Sequence, residues 1–381
     1  MKNQKEMYKF YPVVDVHATW LVLNPIQGCP KKCKYCFLRE RGLNKIKPVV
    51  LATPEEAVEK LLNSKFYIED MPLCLFSQTD AFATPSNIEY AKQLVNILMQ
   101  KDIKNPIIFI TKCRIPIEFI EFIDYYEKQG KQFIFFLSYS GLESNIEVGV
   151  DKEDIQDNFI FLSKYNKKIV HYWRPLIPEN SQKTTIDEVY KFVKKYSIAS
   201  VTIGLKITED IMYNIGWEEL VKNKEKALKV NNVWNKYAYD YIWGCIARKE
   251  EIYPMFQTTA CAVAYALKQP DRKFFYNTEV CKVCNKCPKE QRNLCDRKYQ
   301  MFKYPEKEYI IRLINDLGKD VTEDQIELDL EKRLVVIKNT EMSFNEISFL
   351  REKIGMKISV GRSKNDYYWN SEIIDTKILK I

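Results

Sequence analysis

The chain has 381 residues, of which 46% are hydrophobic and 29% are charged, and its formal net charge is +8. Its 20 Phe, 6 Trp and 24 Tyr exclude a disordered protein. No apolar run reaches the ~18 residues needed to span a bilayer, and the polar start at Met1 leads into no signal-like block. We therefore expect a cytoplasmic protein of two or three domains with no membrane contact.

Short apolar runs alternate with longer amphipathic ones from residue 20 to residue 206. The short runs are β-branched, aliphatic or aromatic, and they predict strands at Trp20–Asn24, Leu73–Ser77, Ile107–Thr111, Phe133–Tyr139, Ile169–Arg174 and Ser200–Leu205. Helical spacing between them predicts helices at Pro54–Leu62, Asn87–Gln100, Pro116–Gln129, Glu153–Tyr165 and Thr185–Tyr196. This alternation indicates an α/β fold with a parallel sheet, and six strands fit an open, partial (β/α)6 barrel.

The rest of the chain divides by composition. We assign residues 1–210 to the partial barrel, 211–275 to a mostly helical extension and 319–381 to a small α+β tail. The tail is predicted to contain a hairpin, Ile326–Leu330 with Leu334–Ile337, and a helix capped by Ser343. Residues 276–318 are cysteine-rich and have little apolar content, so this region needs a metal or a cluster in place of a core.

The cysteines indicate the chemistry. Their number is 11, and with only two His in the chain a zinc site would consist almost wholly of thiolates. An odd number of cysteines without an export signal argues against a disulfide framework. Seven of them form two tight groups, which favours iron–sulfur chemistry.

The first group is a C-x3-C-x2-C array, Cys29, Cys33 and Cys36, in the loop after the first predicted strand. A four-iron cluster usually has four Cys ligands, so three leave one iron open to a small molecule. The array, with Tyr35 before its last cysteine, resembles the radical S-adenosylmethionine (SAM) superfamily. A structural zinc knuckle is the alternative, and His17 is the only nearby candidate for its fourth ligand.

The resemblance implies a 4Fe–4S cluster whose open iron binds SAM, with Tyr35 in the cofactor site. It also implies an electron from a reductant such as flavodoxin or ferredoxin. Reductive cleavage of SAM then gives a 5′-deoxyadenosyl radical, which abstracts hydrogen from the substrate. The protein positions the cofactor and excludes solvent.

Polar residues follow the later predicted strands, where the sites of parallel α/β folds lie. The S-x-x-D-x-F-x-x-P segment from Ser77 resembles the spore photoproduct lyase-like branch of the superfamily, although it also reads as an ordinary helix cap. Its side chains Ser77, Thr79 and Asp80 can accept hydrogen bonds from the SAM ammonium. The remaining candidates for the cofactor site are Lys112, Ser138, Ser140, Arg174 and Ile177.

Two residues are candidate hydrogen-atom donors to a substrate radical. Cys113 follows the third predicted strand and Tyr139 ends the fourth, so both come near the expected meeting point of SAM and substrate. The alternative for each is a packing role.

The second group, Cys281, Cys284, Cys287 and Cys295, has the spacing C-x2-C-x2-C-P-x6-C. Its opening is similar to ferredoxin cluster loops, and four thiolates would saturate a second 4Fe–4S cluster. A four-cysteine zinc knuckle is the alternative, and Cys245 or Cys261 can replace one ligand.

These features predict a radical SAM enzyme that acts on a macromolecule, with nucleic acid slightly favoured over peptide by the lyase-like motifs together with the basic charge balance. The lyase family lacks a second cluster, so reversal of thymine dimers does not follow from the resemblance. The alternative is a non-catalytic nucleic-acid-binding protein stabilised by zinc or by clusters.

Overall fold

The computed structural model describes residues 8–17, 19–216, 232–249, 252–272, 281, 287–360 and 371–374. Its strands are β1 (Val14–Val16), β2 (Leu21–Leu23), β3 (Ile26–Gln27), β4 (Val49–Val50), β5 (Leu73–Leu75), β6 (Ile107–Thr111), β7 (Phe133–Leu137), β8 (Lys168–Trp173), β9 (Ala199–Thr202), β10 (Asn232–Asn235), β11 (Met255–Phe256), β12 (Ile326–Asp329), β13 (Leu334–Ile337), β14 (Lys357–Val360) and β15 (Ser371–Ile374).

The central sheet has the strand order β1-β2-β5-β6-β7-β8-β9-β11. β1 pairs antiparallel with β2, and every other neighbouring pair is parallel. All six strands predicted from the sequence are present, as β2 and β5 to β9, side by side in chain order. The sheet exceeds the prediction by β1 and by the two-residue β11, which are too short to give a hydrophobic period. A central parallel sheet in an α/β fold is thereby confirmed.

The helices of the described residues connect and cover these strands. They are α1 (Pro54–Leu62), α2 (Pro85–Gln100), α3 (Ile117–Glu127), α4 (Lys152–Lys164), α5 (Lys183–Val193), α6 (Glu209–Asn214), α7 (Lys236–Tyr241), α8 (Ala247–Lys249), α9 (Thr259–Leu267), α10 (Lys289–Gln300), α11 (Lys307–Asp316) and α12 (Phe344–Ile354). None of the described helices is long and apolar enough to cross a membrane.

Local signals explain where the first helices begin. The hydroxyl of Thr53 accepts from the amide of Glu56, whose side chain accepts from Thr53 in return, and Pro54 occupies the first helical position of α1. α2 begins at Pro85, capped by Thr84, two residues earlier than the sequence predicts. The cap was misplaced because Thr84 and Ser86 are both good cap residues on either side of Pro85.

The two faces of the sheet bury different sets of side chains. Alternate strand residues such as Phe109 and Phe135 pack against α1 to α5 in the largest core. The other set, which includes Ile108 and Phe136, packs against α9. Since side chains alternate across a strand, both faces of the sheet are covered, as a parallel sheet requires.

The carboxyl-terminal elements form a smaller sheet with strand order β12-β13-β14. The predicted hairpin is β12 with β13, and α12 begins with the predicted capping box of Ser343 and Glu346. The Arg333 guanidinium lies 3.6 Å from the ring centroid of Tyr299 and 4.7 Å from that of Phe302, and so connects the hairpin turn to the end of α10. The proposed domain boundaries remain predictions.

Replacing Phe119 should reveal how much the helix-covered core contributes to stability. Its ring on α3 is fully buried, 4.9 Å from Phe82 and 5.4 Å from Phe109 between centroids. We expect Phe119→Ala to lower the free energy of unfolding by about 3–5 kcal/mol in urea denaturation. Phe122 lies on the same helix but is half-buried, so Phe122→Ala is the control and should lower the free energy of unfolding clearly less. Equal losses would contradict this description of the core.

Candidate functional site

The cysteine loop, residues 29–36, follows β3 and is anchored at its start by main-chain hydrogen bonds. The amide of Gly28 donates to Gln78 O over 2.9 Å, and the amide of Cys29 donates to Leu43 O over 2.8 Å. The Thr79 hydroxyl donates to Gly28 O over 2.5 Å. Gln78 and Thr79, in the segment after β5, therefore hold the loop. Both belong to the segment from Ser77 that the sequence predicts to bind SAM.

A second segment, residues 146–149 after β7, lies along the middle of the cysteine loop. The amides of Lys32 and Lys34 donate to Val148 O and Ile146 O over 2.9 and 3.0 Å. The Lys31 ammonium donates to the carbonyl of Gly149. We call residues 146–149 the backing segment.

The two rings on either side of Cys36 attach the loop to the sheet's carboxyl edge. Tyr35 and Phe37 pack against a buried apolar cluster formed by Leu142, Ile146, Ile177, Leu205, Ile207, Ile211, Met212, Ile215 and Val233. Cys36 precedes a short 3₁₀ turn, Phe37–Arg41, that ends at Gly42 with a φ of 70°. The predicted site residue Ile177 is thus fully buried beneath the loop.

Cys33 of the loop is buried, and Cys29 and Cys36 are half-buried. Burial raises the pKa of Cys29 and of Cys33 to about 12 and raises the pKa of Cys36 as well, while neighbouring thiols add to the rise for Cys29 and Cys33. Such thiols become thiolates when a metal replaces their protons. The donor set therefore fits a thiolate-bound metal or cluster better than a reactive nucleophile.

In the part of the chain that the structure describes, no three His, Cys, Asp or Glu side chains are grouped to hold one ion. A four-iron cluster bonds each thiolate to a different iron, so its ligands stand farther apart. His17, the candidate fourth zinc ligand, lies 3.6 Å from Asp15.

Asp80 is buried, and its carboxylate accepts hydrogen bonds from three groups of the protein. It accepts from the Thr111 hydroxyl over 2.8 Å, from the Lys112 amide over 2.9 Å and from the Phe82 amide over 3.0 Å. Ser77 nearby donates to Asn24 Oδ1 over 3.1 Å. Asp80 therefore ties the ends of β5 and β6 together, which the sequence did not indicate.

Glu147 is a functional candidate that the sequence reasoning missed. It lies on the backing segment, and its Oε1 accepts from Lys112 Nζ over 2.7 Å and from the Tyr35 hydroxyl. Lys112 Nζ also donates to Ser138 O over 3.0 Å. The charge of Lys112 is thus balanced by Glu147 in this structure. No sequence signal marks Glu147, because it follows β7 by ten residues and no periodic pattern includes it.

Three further predicted site residues lie at the carboxyl edge, after β7 and β8. The Ser138 hydroxyl donates to Arg174 O over 3.5 Å, and the Ser140 hydroxyl accepts from the Leu142 amide over 3.2 Å. Arg174 Nη1 donates to the Tyr172 hydroxyl over 3.2 Å.

The structure separates the two candidate hydrogen-atom donors. Cys113 is buried, and its amide donates over 2.9 Å to the Thr111 hydroxyl, which in turn donates to Asp80. The ring of Tyr139 instead packs against Phe159 of α4 and Phe192 of α5. Cys113 therefore lies in the segment that Asp80 anchors, whereas the ring of Tyr139 lies among the helices.

The second cysteine group is described at Cys281, Cys287 and Cys295, whereas Cys284 lies outside the described residues. The sulfur of Cys295 accepts from the Asp271 amide over 3.3 Å and from Gln291 Nε2 over 3.5 Å. Burial raises the pKa of Cys295, and the charge of Cys281 adds to that rise.

Cys287 lies against the α9 side of the central sheet. It is partly buried there, as are Cys261 and Tyr265 of α9, and all three pack against the core that lines this face. Cys261 therefore belongs to the surroundings of the second cysteine group.

No family model and no curated protein matches the chain. Among solved structures, it is similar to spore photoproduct lyase with a dinucleoside spore photoproduct, at 12% identity and a TM-score of 0.40, over 54% of this chain and 63% of the lyase. It is similar to a radical SAM methyltransferase from Sphaerobacter thermophilus, at 16% identity and a TM-score of 0.36, over 58% of this chain and 65% of that one.

A third similar structure is anSMEcpe with bound AdoMet and a peptide, at 15% identity and a TM-score of 0.42, over 65% of this chain and 66% of that one. The chain spans less than two thirds of the length of the lyase and of the methyltransferase.

A methyl group at Gly28 should disturb the cysteine loop. Gly28 has a φ of 98°, and an added Cβ would lie 2.7 Å from Ile46 Cδ1. Gly130, with a φ of 92° and nothing within 4 Å of its Cβ position, is the matched control. We expect both Ala variants to lose about 1–2 kcal/mol of stability from the left-handed backbone.

Only Gly28→Ala should also expose the loop, which a thiol-reactive dye measures as faster labelling of cysteines in the metal-free protein. Equal labelling rates in the two variants would contradict the close approach of Gly28 and Ile46.

Proposed function

We propose that the protein is a radical SAM enzyme whose cysteine loop holds a 4Fe–4S cluster through Cys29, Cys33 and Cys36. The observation that carries the proposal is the placement of these three thiols, one buried and two half-buried, on one loop at the carboxyl edge of a parallel sheet. Sites of parallel α/β folds lie at this edge. Three thiolates also leave a ligand position for a small molecule.

When bound, the cluster with SAM supplies one-electron chemistry that generates a 5′-deoxyadenosyl radical. The protein's own residues orient and shield the reacting groups. Tyr35 and Phe37 fix the loop on the apolar cluster, and the hydroxyls of Ser77, Thr79, Ser138 and Ser140 are acceptors for SAM's ammonium and ribose. Ile177 is fully buried beneath the loop and shields the site from water. Arg174 provides a cation for the SAM carboxylate.

Cys113 is the proposed hydrogen-atom donor. Its thiol is buried beside Asp80 and is kept protonated, because burial raises its pKa. A neutral S–H group is what the step requires, since the S–H bond breaks as a C–H bond forms on the substrate radical. Tyr139, whose ring lies among the helices, is the less favoured donor.

The second cysteine group is proposed to hold an auxiliary 4Fe–4S cluster. The support comes from Cys295, whose sulfur accepts two N–H hydrogen bonds, an arrangement that stabilises a cluster-bound thiolate. Cys281, Cys284 and Cys287 complete the set by sequence spacing. A flavodoxin or ferredoxin is the proposed reductant, and the cytoplasm is the proposed location, where thiols stay reduced.

A nucleic acid is the proposed substrate, favoured over a peptide. A cation beside the cysteine loop supports this choice. Lys206 Nζ lies 5.5 Å from the ring centroid of Phe37. Since Arg174 is assigned to the SAM carboxylate, Lys206 is the candidate contact for a phosphate of the nucleic-acid backbone.

Iron analysis tests both cluster assignments. We expect about eight irons per chain after anaerobic reconstitution, falling to about four in Cys29→Ala and in Cys295→Ala, because each variant loses one ligand set. Cys29→Ala should also abolish formation of 5′-deoxyadenosine from SAM under dithionite. Cys74→Ala, which removes a buried thiol of the sheet core, is the control and should load like wild type. A colourless protein containing zinc and no iron would instead support the non-catalytic binding protein.

Salt dependence tests the substrate class. We expect binding of tRNA or DNA to weaken linearly on a log–log plot, with a slope of roughly −0.9 per phosphate neutralised on a duplex. Lys206→Ala should make the slope shallower by about one unit, because one phosphate contact is lost. Lys128→Ala, an exposed lysine after α3, should leave the slope unchanged. A wild-type slope near zero would favour a peptide substrate.

A further inference from the structure

Lys112 and Glu147 form an ion pair next to the cysteine loop. Their side chains are 17% and 6% exposed, and Lys112 Nζ lies 2.7 Å from Glu147 Oε1. The pair is fixed from two further sides, by Ser138 O, which accepts from Lys112, and by the Tyr35 hydroxyl, which donates to Glu147. Lys112 Nζ is also 5.9 Å from the ring centroid of Tyr35.

The pair lies against the cysteine loop. Tyr35, whose hydroxyl donates to Glu147, directly precedes Cys36. The backing segment that carries Glu147 accepts from the amides of Lys32 and Lys34, on either side of Cys33. Opposite charges with 2.7 Å between Lys112 Nζ and Glu147 Oε1 act on the loop at nearly the same range, so their fields oppose each other there.

We propose that Glu147 is a positioning residue that fixes Lys112 beside the cysteine loop and cancels its charge there, so that the cluster on this loop keeps a low reduction potential. The inference rests on the proposed function, since it requires a cluster on the loop. It assigns to the pair a control over how readily the cluster accepts an electron.

The physical reason is the charge that reduction adds. Reduction of a cluster by one electron adds one negative charge, and an uncompensated cation nearby stabilises the reduced state and raises the potential. Burial strengthens this effect, because screening by water is weak at the pair. A compensated Lys112 still donates hydrogen bonds that hold the loop, but contributes little net field. A strongly reducing cluster is what cleavage of a sulfonium bond requires.

Three variants separate charge from structure. Glu147→Gln keeps an acceptor oxygen and leaves Lys112 unbalanced, so we expect the midpoint potential to rise. Lys112→Met leaves Glu147 unbalanced, so we expect it to fall. Each shift should be at least about tenfold in the equilibrium constant for reduction, which is about 59 mV for one electron. The double variant removes both charges and should return to near the wild-type potential.

The measurement is a redox titration, followed by the electron paramagnetic resonance signal of the reduced cluster, in a Cys295→Ala background. This background removes the second cysteine group's contribution. Glu143→Gln is the matched control, because Glu143 is 78% exposed and pairs with Lys152 over 3.4 Å just before the backing segment. It should leave the potential unchanged.

The outcomes distinguish this inference from the proposed function. Wild-type protein without iron would remove the proposed function itself. A wild-type cluster whose potential is the same in Glu147→Gln and Lys112→Met would overturn the inference alone. Shifts of the same sign in both variants, or a double variant that fails to return, would show a structural effect instead of a charge effect. If Glu147→Gln loses its iron and Lys112→Met does not, the midpoint potential of Lys112→Met decides. A fall supports the inference, and an unchanged potential overturns it.

Discussion

The docking of the cysteine loop on the carboxyl edge of the sheet is the interaction on which the site depends. The loop is short and rich in lysine, so it cannot bury a core of its own. Main-chain hydrogen bonds to the segment after β5 and to the backing segment satisfy its amides on both sides. Tyr35 and Phe37 then supply the apolar contact that the rest of the loop lacks. As a result, Cys33 becomes buried and Cys29 and Cys36 become half-buried on the same loop.

Two buried carboxylates beside this loop are stabilised in different ways. Asp80 accepts hydrogen bonds from neutral donors, an arrangement that fixes the ends of β5 and β6 while its negative charge remains. Glu147 is paired with the Lys112 ammonium, an arrangement that removes the net charge of the pair. The proposed site therefore combines one structural anion with one compensated pair, and the field at the thiols depends on both.

Much of the fold could be predicted, because buried parallel strands are continuous apolar runs. β2 and β5 to β9 were found in this way, whereas β11 has only two residues and carries no period. The positions of the site residues were harder to predict from the sequence. Tyr139 comes two residues after β7 ends, where strand alternation no longer fixes its direction, and its ring joins the helix layer. Glu147 acquires its role only from pairing between two loops, which no local pattern encodes.

The position of α9 constrains how a large substrate reaches the loop. α9 packs on the face of the sheet opposite α1 to α5, so both faces are covered and the carboxyl edge is the approach that the proposed function requires. Arg174 and Lys206 lie at this edge, and Cys287 lies on the α9 side. Lys206 is exposed whereas Cys113 is buried, so a substrate that arrives along this edge meets the cation at the surface, while the proposed hydrogen-atom donor is shielded from water.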